Sequence, residues 1–222
     1  MLNIDIYKRL GNDKNKIEIR FKASANIGEI TALYGKSGIG KTTVLRIIAG
    51  LDKANEGTIT FKGHNWFNKD QNLPLKQRPV GMVFQDYNLF ENMTVLKNLE
   101  FAADDQIAED VLALCKKLGI DKMFSRYPRE LSKGQQQKVA IIRGVIMKTE
   151  LMLLDEPFSA LDDDSILEII EVIQALKSNF STTIILVTHR KDVILKMADS
   201  VIVFAENKTT QGDPKELLQR SF

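Results

Sequence analysis

The chain has 222 residues, of which 44% are apolar and 27% charged, a balance that builds a folded core and excludes a disordered tail. A formal charge of +2 gives no ground for a nucleic-acid or anionic-lipid partner, and no nucleic acid is expected. A single cysteine, Cys115, leaves no internal disulfide, and no apolar run nears the roughly 18 residues of a membrane helix, so the chain reads as cytoplasmic.

The start, 1–20, is strand-like and charged, and 16–22 alternates charged with apolar residues (Ile17, Ile19, Phe21). That alternation predicts a half-buried antiparallel strand. The run 30–34 is apolar almost throughout, as expected of a parallel strand covered on both faces, and helical spacing follows over 41–49 with Gly50 as its stop. Residues 58–61 alternate again and join the small antiparallel sheet, while 65–78, polar and carrying Pro74, reads as a connecting loop. A second apolar strand is expected at 80–84.

From 92 to 147 the β signal vanishes and helices are expected over 95–102, 107–118 and 132–147, which reads as a helical subdomain inserted into the core. Apolar strands at 151–154 and 183–187 flank a helix over 164–178, and 207–214 is a turn-rich piece before a short terminal helix. The pattern predicts an α/β fold: a core with a mostly parallel sheet flanked by helices, plus a small antiparallel β subdomain. One domain spans 1–222, with 1–91 and 148–222 as core and 92–147 as the inserted subdomain.

Gly35, Lys36, Ser37, Gly38, Ile39, Gly40, Lys41 and Thr42 match G-x-x-x-x-G-K-[ST] between an apolar strand and a helix. In such a loop successive backbone N–H groups surround phosphate oxygens, the helix start adds favourable partial charge, and Lys41 reaches the β and γ phosphates. Thr42 supplies a hydroxyl to Mg²⁺, and Thr43 extends the phosphate-binding stretch. The strand at 151–154 ends in Asp155 and Glu156, placing Asp155 to hold Mg²⁺ through water and Glu156 beside an attacking water. Acids at strand ends also cap helices, and a phosphate loop alone leaves kinases, GTPases and many ATPases open.

The stretch 131–140, Leu-Ser-Lys-Gly-Gln-Gln-Gln-Lys-Val-Ala, narrows that choice, because it resembles the signature of ABC ATPases, usually Leu-Ser-Gly-Gly-Gln before a polar, basic helix. Ser132 and Gln135 also have the spacing of a capping box, and both readings can hold. Further motifs of the family follow in order: Gln85 after the strand at 80–84, Ser159-Ala160-Leu161-Asp162 after the acids, and His189 after the strand at 183–187. The resemblance covers nearly the whole chain. It implies a P-loop NTPase core with ATP and Mg²⁺ as cofactors, and a homodimer in which Ser132, Gly134 and Gln135 of one copy face the triphosphate held by the other, with Asp162 nearby. It further implies catalysis by Glu156, His189, Lys41 and Gln85, and metal binding by Thr42, Gln85 and Asp155.

Two positions depart from the family pattern. Lys133 stands where the signature has its first glycine, and the adenine-stacking aromatic expected before the phosphate loop falls near Asn12, leaving Tyr7 as a weak substitute. As a family member the chain is expected to power an integral membrane permease from the inner face of the membrane. The run 78–95 looks most like importers for molybdate, sulfate and polyamines, with which a solute-binding protein would work; the start, 1–4 with Leu10-Gly11-Asn12, resembles the molybdate branch. Exporter cassettes, soluble ABC proteins of translation or DNA repair, and small-molecule kinases are the alternatives.

Overall fold

A computed structural model describes residues 1–11, 17–103, 106–147, 149–159, 161–205 and 208–219. Its strands sort by their burial pattern into two sheets. β1 (Leu2–Leu10), β2 (Ile17–Ala25), β4 (Glu56–Phe61) and β5 (His64–Phe67) form an antiparallel sheet in the order β2-β1-β4-β5. Along β1, Leu2, Ile4 and Ile6 are buried and Asn3 and Asp5 exposed, the alternation of a sheet with one wet face. The second sheet runs β10-β9-β3-β8-β7-β6, from β3 (Ile30–Tyr34), β6 (Val80–Val83), β7 (Leu151–Asp155), β8 (Thr183–Val187), β9 (Ser200–Ala205) and β10 (Lys208–Gly212). All its pairings are parallel except that of β10 with β9.

Both faces of the parallel sheet are covered, which is why β7 and β8 are buried along their whole length. On one face Leu33, Leu153 and Ile185 pack with α1 (Lys41–Ala49) and with Ile4, Ile19 and Ile59 of the antiparallel sheet. Phe21 and Phe204 meet edge to face there, 5.4 Å apart, joining β2 to β9. On the other face Met152, Leu154 and Leu186 share a core with α2 (Val95–Ala102), α3 (Glu109–Lys117), α4 (Lys133–Ile146) and α5 (Asp163–Phe180). The short α6 (Lys191–Met197) and α7 (Pro214–Gln219) cover β9 and the end of β3 through Ile194 and Leu218.

Several elements lie outside the sequence expectations. β5 occupies the start of the stretch read as a loop: a bulge opposite Ile59 and Thr60 turns Trp66 and Phe67 inward together, so the strand lacks a period of two. β9, β10 and α6 are also additional. β10 is polar because it is an edge strand whose side chains bond to β2: Gln211 accepts from Ser24 N–H at 3.1 Å and donates to its carbonyl at 2.6 Å, and Thr209 donates to the Lys22 carbonyl. Lys16 and Asn207 of the expected elements lie outside the described residues.

Arg78 is the anchor of α1. It is 5% exposed, its guanidinium is pushed down to about 10 by burial, and no carboxylate pairs with it among the described residues. Instead it donates to the carbonyls of Ile47 and Ile48 at the end of α1, to those of Leu73 and Trp66, and to Asn72 Oδ1, at 2.6 to 3.2 Å. A cation at a helix carboxyl end is favoured by the aligned peptide dipoles, and it lies 5.4 Å from the Trp66 ring centre. Arg78→Met strands these acceptors in the core, and urea unfolding should show a loss of about 3 kcal/mol.

Candidate functional site

Because β3, β8, β7 and β6 are adjacent and parallel, their carboxyl ends open on one edge of the sheet. The loop after β3 carries the stretch 35–42, expected from its sequence to bind phosphate. Gly35 is buried, and a Cβ there would stand 2.4 Å from the Phe204 carbonyl oxygen, so only glycine lets the loop start this close to β9. Gly40, at φ 106°, turns the chain into α1, and a Cβ there would meet Ile19 Cδ1 at 2.4 Å. Lys36, Ser37 and Gly38 are exposed at the mouth, with Ile39 and Gly40 partly so.

Lys41, 7% exposed, folds back over the loop and donates to the carbonyls of Gly35 at 2.7 Å and Lys36 at 3.0 Å. Burial holds its ammonium below the ordinary lysine range, an effect that the Glu156 and Asp155 carboxylates partly offset. Thr42, next along α1, lies near enough to Asp155 at the end of β7 to favour its ionised form, and Thr43 is partly buried. Asp155 is 5% exposed, and burial raises its carboxyl above the usual range although Thr42 and Lys41 pull it down. Its Oδ1 is buried without a hydrogen-bond partner among the described residues.

Such an oxygen, near a threonine hydroxyl, fits a hard divalent cation, which takes oxygen ligands and keeps several waters. The residues therefore match the Mg²⁺ expected from the sequence. Glu156 follows with left-handed backbone, φ 48°, its N–H bonded to the Val187 carbonyl at 3.0 Å. That turn aims its side chain at His189, which follows β8: His189 Nδ1 lies 3.1 Å from Glu156 Oε2. The histidine is 67% exposed and the glutamate 19%, so the pair faces solvent from the imidazole side.

Other expected residues stand apart from this group. Gln85 is exposed in the turn after β6, at the same edge, with no hydrogen bond to Thr42 or Asp155 among the described residues. Ser132 caps α4 in a reciprocal box with Gln135: Gln135 N–H donates to Ser132 Oγ at 3.2 Å, and Ser132 N–H to Gln135 Oε1 at 3.0 Å. No hydrogen bond joins 132–135 to 35–43 among the described residues.

Gly134 presses on α5, where a Cβ would meet Ser165 Oγ at 2.8 Å, whereas Lys133 beside it is exposed. Asp162 caps α5 by accepting from Ser165 N–H at 2.8 Å, and that backbone bond holds its carboxyl below the usual range. Tyr7 donates to Glu18 at 3.1 Å and has Arg20 stacked 5.0 Å from its ring centre, so it is engaged within the antiparallel sheet. Asn12 and Ala160 lie outside the described residues. Sequence reading missed Lys138, nearly buried, which pairs with Glu168 at 2.6 Å and so ties α4 to α5. A lysine in a basic helix start gave no sign of it.

Since burial raises the Asp155 carboxyl, its ionised form costs stability as pH rises through the ordinary carboxylate range and past the folded value. Asp155→Asn should therefore leave the nucleotide-free protein as stable or up to about 1 kcal/mol more stable, while removing the Mg²⁺-dependent part of any nucleotide-induced rise in melting temperature. Scanning calorimetry with and without Mg²⁺ checks both.

No described helix is long and apolar enough to cross a membrane. Comparison with known proteins gives a family match to the ABC transporter model over residues 20–159. The chain is 42% identical to the molybdenum import ATP-binding protein of Saccharophagus degradans, over 78% of this chain and 49% of that protein. It is 39% identical to the sulfate/thiosulfate import ATP-binding protein of Bacillus cereus, over 86% of this chain and 56% of that one. The chain thus spans about half the length of these curated relatives. A dimeric ATP-binding cassette in a post-hydrolysis state with ADP and Pi superimposes with a TM-score of 0.80 at 25% identity, covering 96% of this chain and 99% of that one. With its phosphate loop, its paired acids and a capped signature helix set on this sheet, the chain belongs to the ABC transporter family.

Proposed function

We propose that the chain is an ATP-hydrolysing subunit that powers solute import through a separate membrane permease, acting as a homodimer on the inner face of the membrane with Mg²⁺ as cofactor. One observation carries this reading: a phosphate loop, a buried carboxylate with a bare oxygen and a second carboxylate turned toward a histidine share one sheet edge. Phosphoryl transfer asks mainly for positioning and charge neutralisation, and this edge supplies both.

In this reading the N–H groups of 35–43 hold the phosphates, and Lys41 exchanges its loop carbonyls for β and γ oxygens. Thr42, Asp155 and Gln85 would hold Mg²⁺, and the metal when bound would neutralise charge on the phosphates. Glu156 orients the attacking water and takes its proton as the bond between the γ phosphorus and ADP breaks. His189 steadies Glu156 and contacts the γ phosphate.

Ser132, Gly134 and Gln135 complete the site of the opposite protomer by offering it the start of α4, with Asp162 alongside. The dimeric relative holding ADP and Pi supports that arrangement. The names of the curated relatives support import of a small solute, with an oxyanion such as molybdate or sulfate favoured; a solute-binding protein would deliver it.

Glu156→Gln keeps the cradle and removes the proton acceptor, so the rate of ATP hydrolysis should fall about 100-fold or more while nucleotide affinity changes less than about threefold. Hydrolysis within tenfold of the unmodified protein, by phosphate release, contradicts this role. Lys133→Gly removes an exposed cation from the face offered to the other protomer. It should alter the lifetime of the ATP-bound dimer, read by size-exclusion chromatography of the Glu156→Gln form, more than the affinity of the monomer for nucleotide.

A further inference from the structure

Between β6 and α2 the chain passes Gln85 and then two successive residues with left-handed backbone, Tyr87 at φ 57° and Asn88 at φ 49°. Neither is glycine, and this conformation is unfavourable for L side chains, less so for asparagine than for tyrosine. The turn is held from outside. Arg143 of α4 donates Nη1 to the Asn88 carbonyl at 2.7 Å and Nη2 to the Tyr87 carbonyl at 3.2 Å, with its guanidinium 5.6 Å from the Phe90 ring centre.

Asn98 of α2, fully buried, fixes the far end of the loop. It accepts from Phe90 N–H at 2.8 Å and donates to the carbonyls of Phe90, Met93 and Thr94 at 3.1 to 3.2 Å. Among the described residues no carboxylate pairs with Arg143, and burial lowers its affinity for a proton. A planar fork matches two neighbouring carbonyls in a way that a lysine ammonium does not.

We propose that Arg143 is a positioning residue whose fork holds the left-handed turn at Tyr87 and Asn88, fixing Gln85 to α4 so that the loop and the helix capped by Ser132 move as one body. The kinetic side of this inference rests on the ATPase reading above. Its structural side does not. α4 carries the signature at one end and Arg143 near the other, and the fork is its polar link to the loop that leaves the metal edge.

The test is Arg143→Met, which keeps bulk and removes the donors, followed by hydrogen exchange in the nucleotide-free protein. Amides of 86–90 should exchange about tenfold faster, equivalent to about 1.4 kcal/mol, while those of β7 and α1 stay as they were. In ATP hydrolysis kcat should fall about tenfold with KM within about twofold. Arg143→Lys should recover little. Adding Asn88→Gly, which adopts the left-handed turn without the side-chain penalty, should recover kcat at least about threefold while the melting temperature stays lowered.

Unchanged exchange at 86–90, or an equal rise across α4 and the core, overturns the proposal, as does kcat that follows only the fraction of folded protein. A lack of Mg²⁺-dependent hydrolysis in the unmodified protein would defeat the ATPase reading alone, since the exchange measurement still judges Arg143.

Discussion

Everything at the candidate site depends on the parallel pairing of β3, β8 and β7. Leu33 lies opposite Val187, and Asp155 opposite that same valine on the other side, so β8 sets the phosphate loop and the acidic pair at one height. Parallel neighbours require long crossovers, and here those crossovers are α1 through α5, whose apolar faces cover the sheet on both sides. Burial of the sheet and assembly of the site are therefore one event. A slip of one residue in β7 would send Asp155 away from Thr42 and leave its neighbours facing the wrong layer.

At that edge the molecule gathers several arrangements that are unfavourable in a packed core. Lys41 is buried with carbonyls as its hydrogen-bond acceptors, Asp155 keeps a bare oxygen, and Glu156 takes a left-handed backbone. Each is unfavourable alone, and their gathering at one edge is what a binding site, not a packing contact, calls for. Arg78 shows the opposite case. It is as deeply buried as Asp155, yet its donors are met by carbonyls and an asparagine, so it fastens α1 and presents nothing to a ligand.

The signature helix divides its residues in the same way. Gly134 is required by Ser165 of α5, since any side chain would push the two helices apart, while Lys133 one position earlier has open space around it. The departure from the family pattern thus falls where the fold tolerates it, and its effect is on whatever approaches α4 from outside. Asp162, Ser165 and Gly134 form a short run of contacts that ties the cap of α5 to the start of α4.

Much of this was legible in the amino-acid order. The phosphate loop, the acids closing β7 and the boundaries of β3, α1 and α2 follow from local chemistry: glycines where backbone must turn or approach closely, continuous apolar runs for doubly covered strands, and a capping pair at a helix start. β5 and β10 were not legible. A bulge removes the alternation from the first, and the polar surface of the second is explained by bonds to β2, far away in the chain. The contact between Glu156 and His189, the burial of Lys41 and Asp155, and the hold of Arg143 on Tyr87 and Asn88 likewise join residues distant in sequence. Order along the chain determined which groups carry the chemistry, because that depends on residue type and near neighbours. Tertiary structure decided which of them meet, and in what state of charge, because pairing across strands and exclusion of water arise only when separate segments pack together.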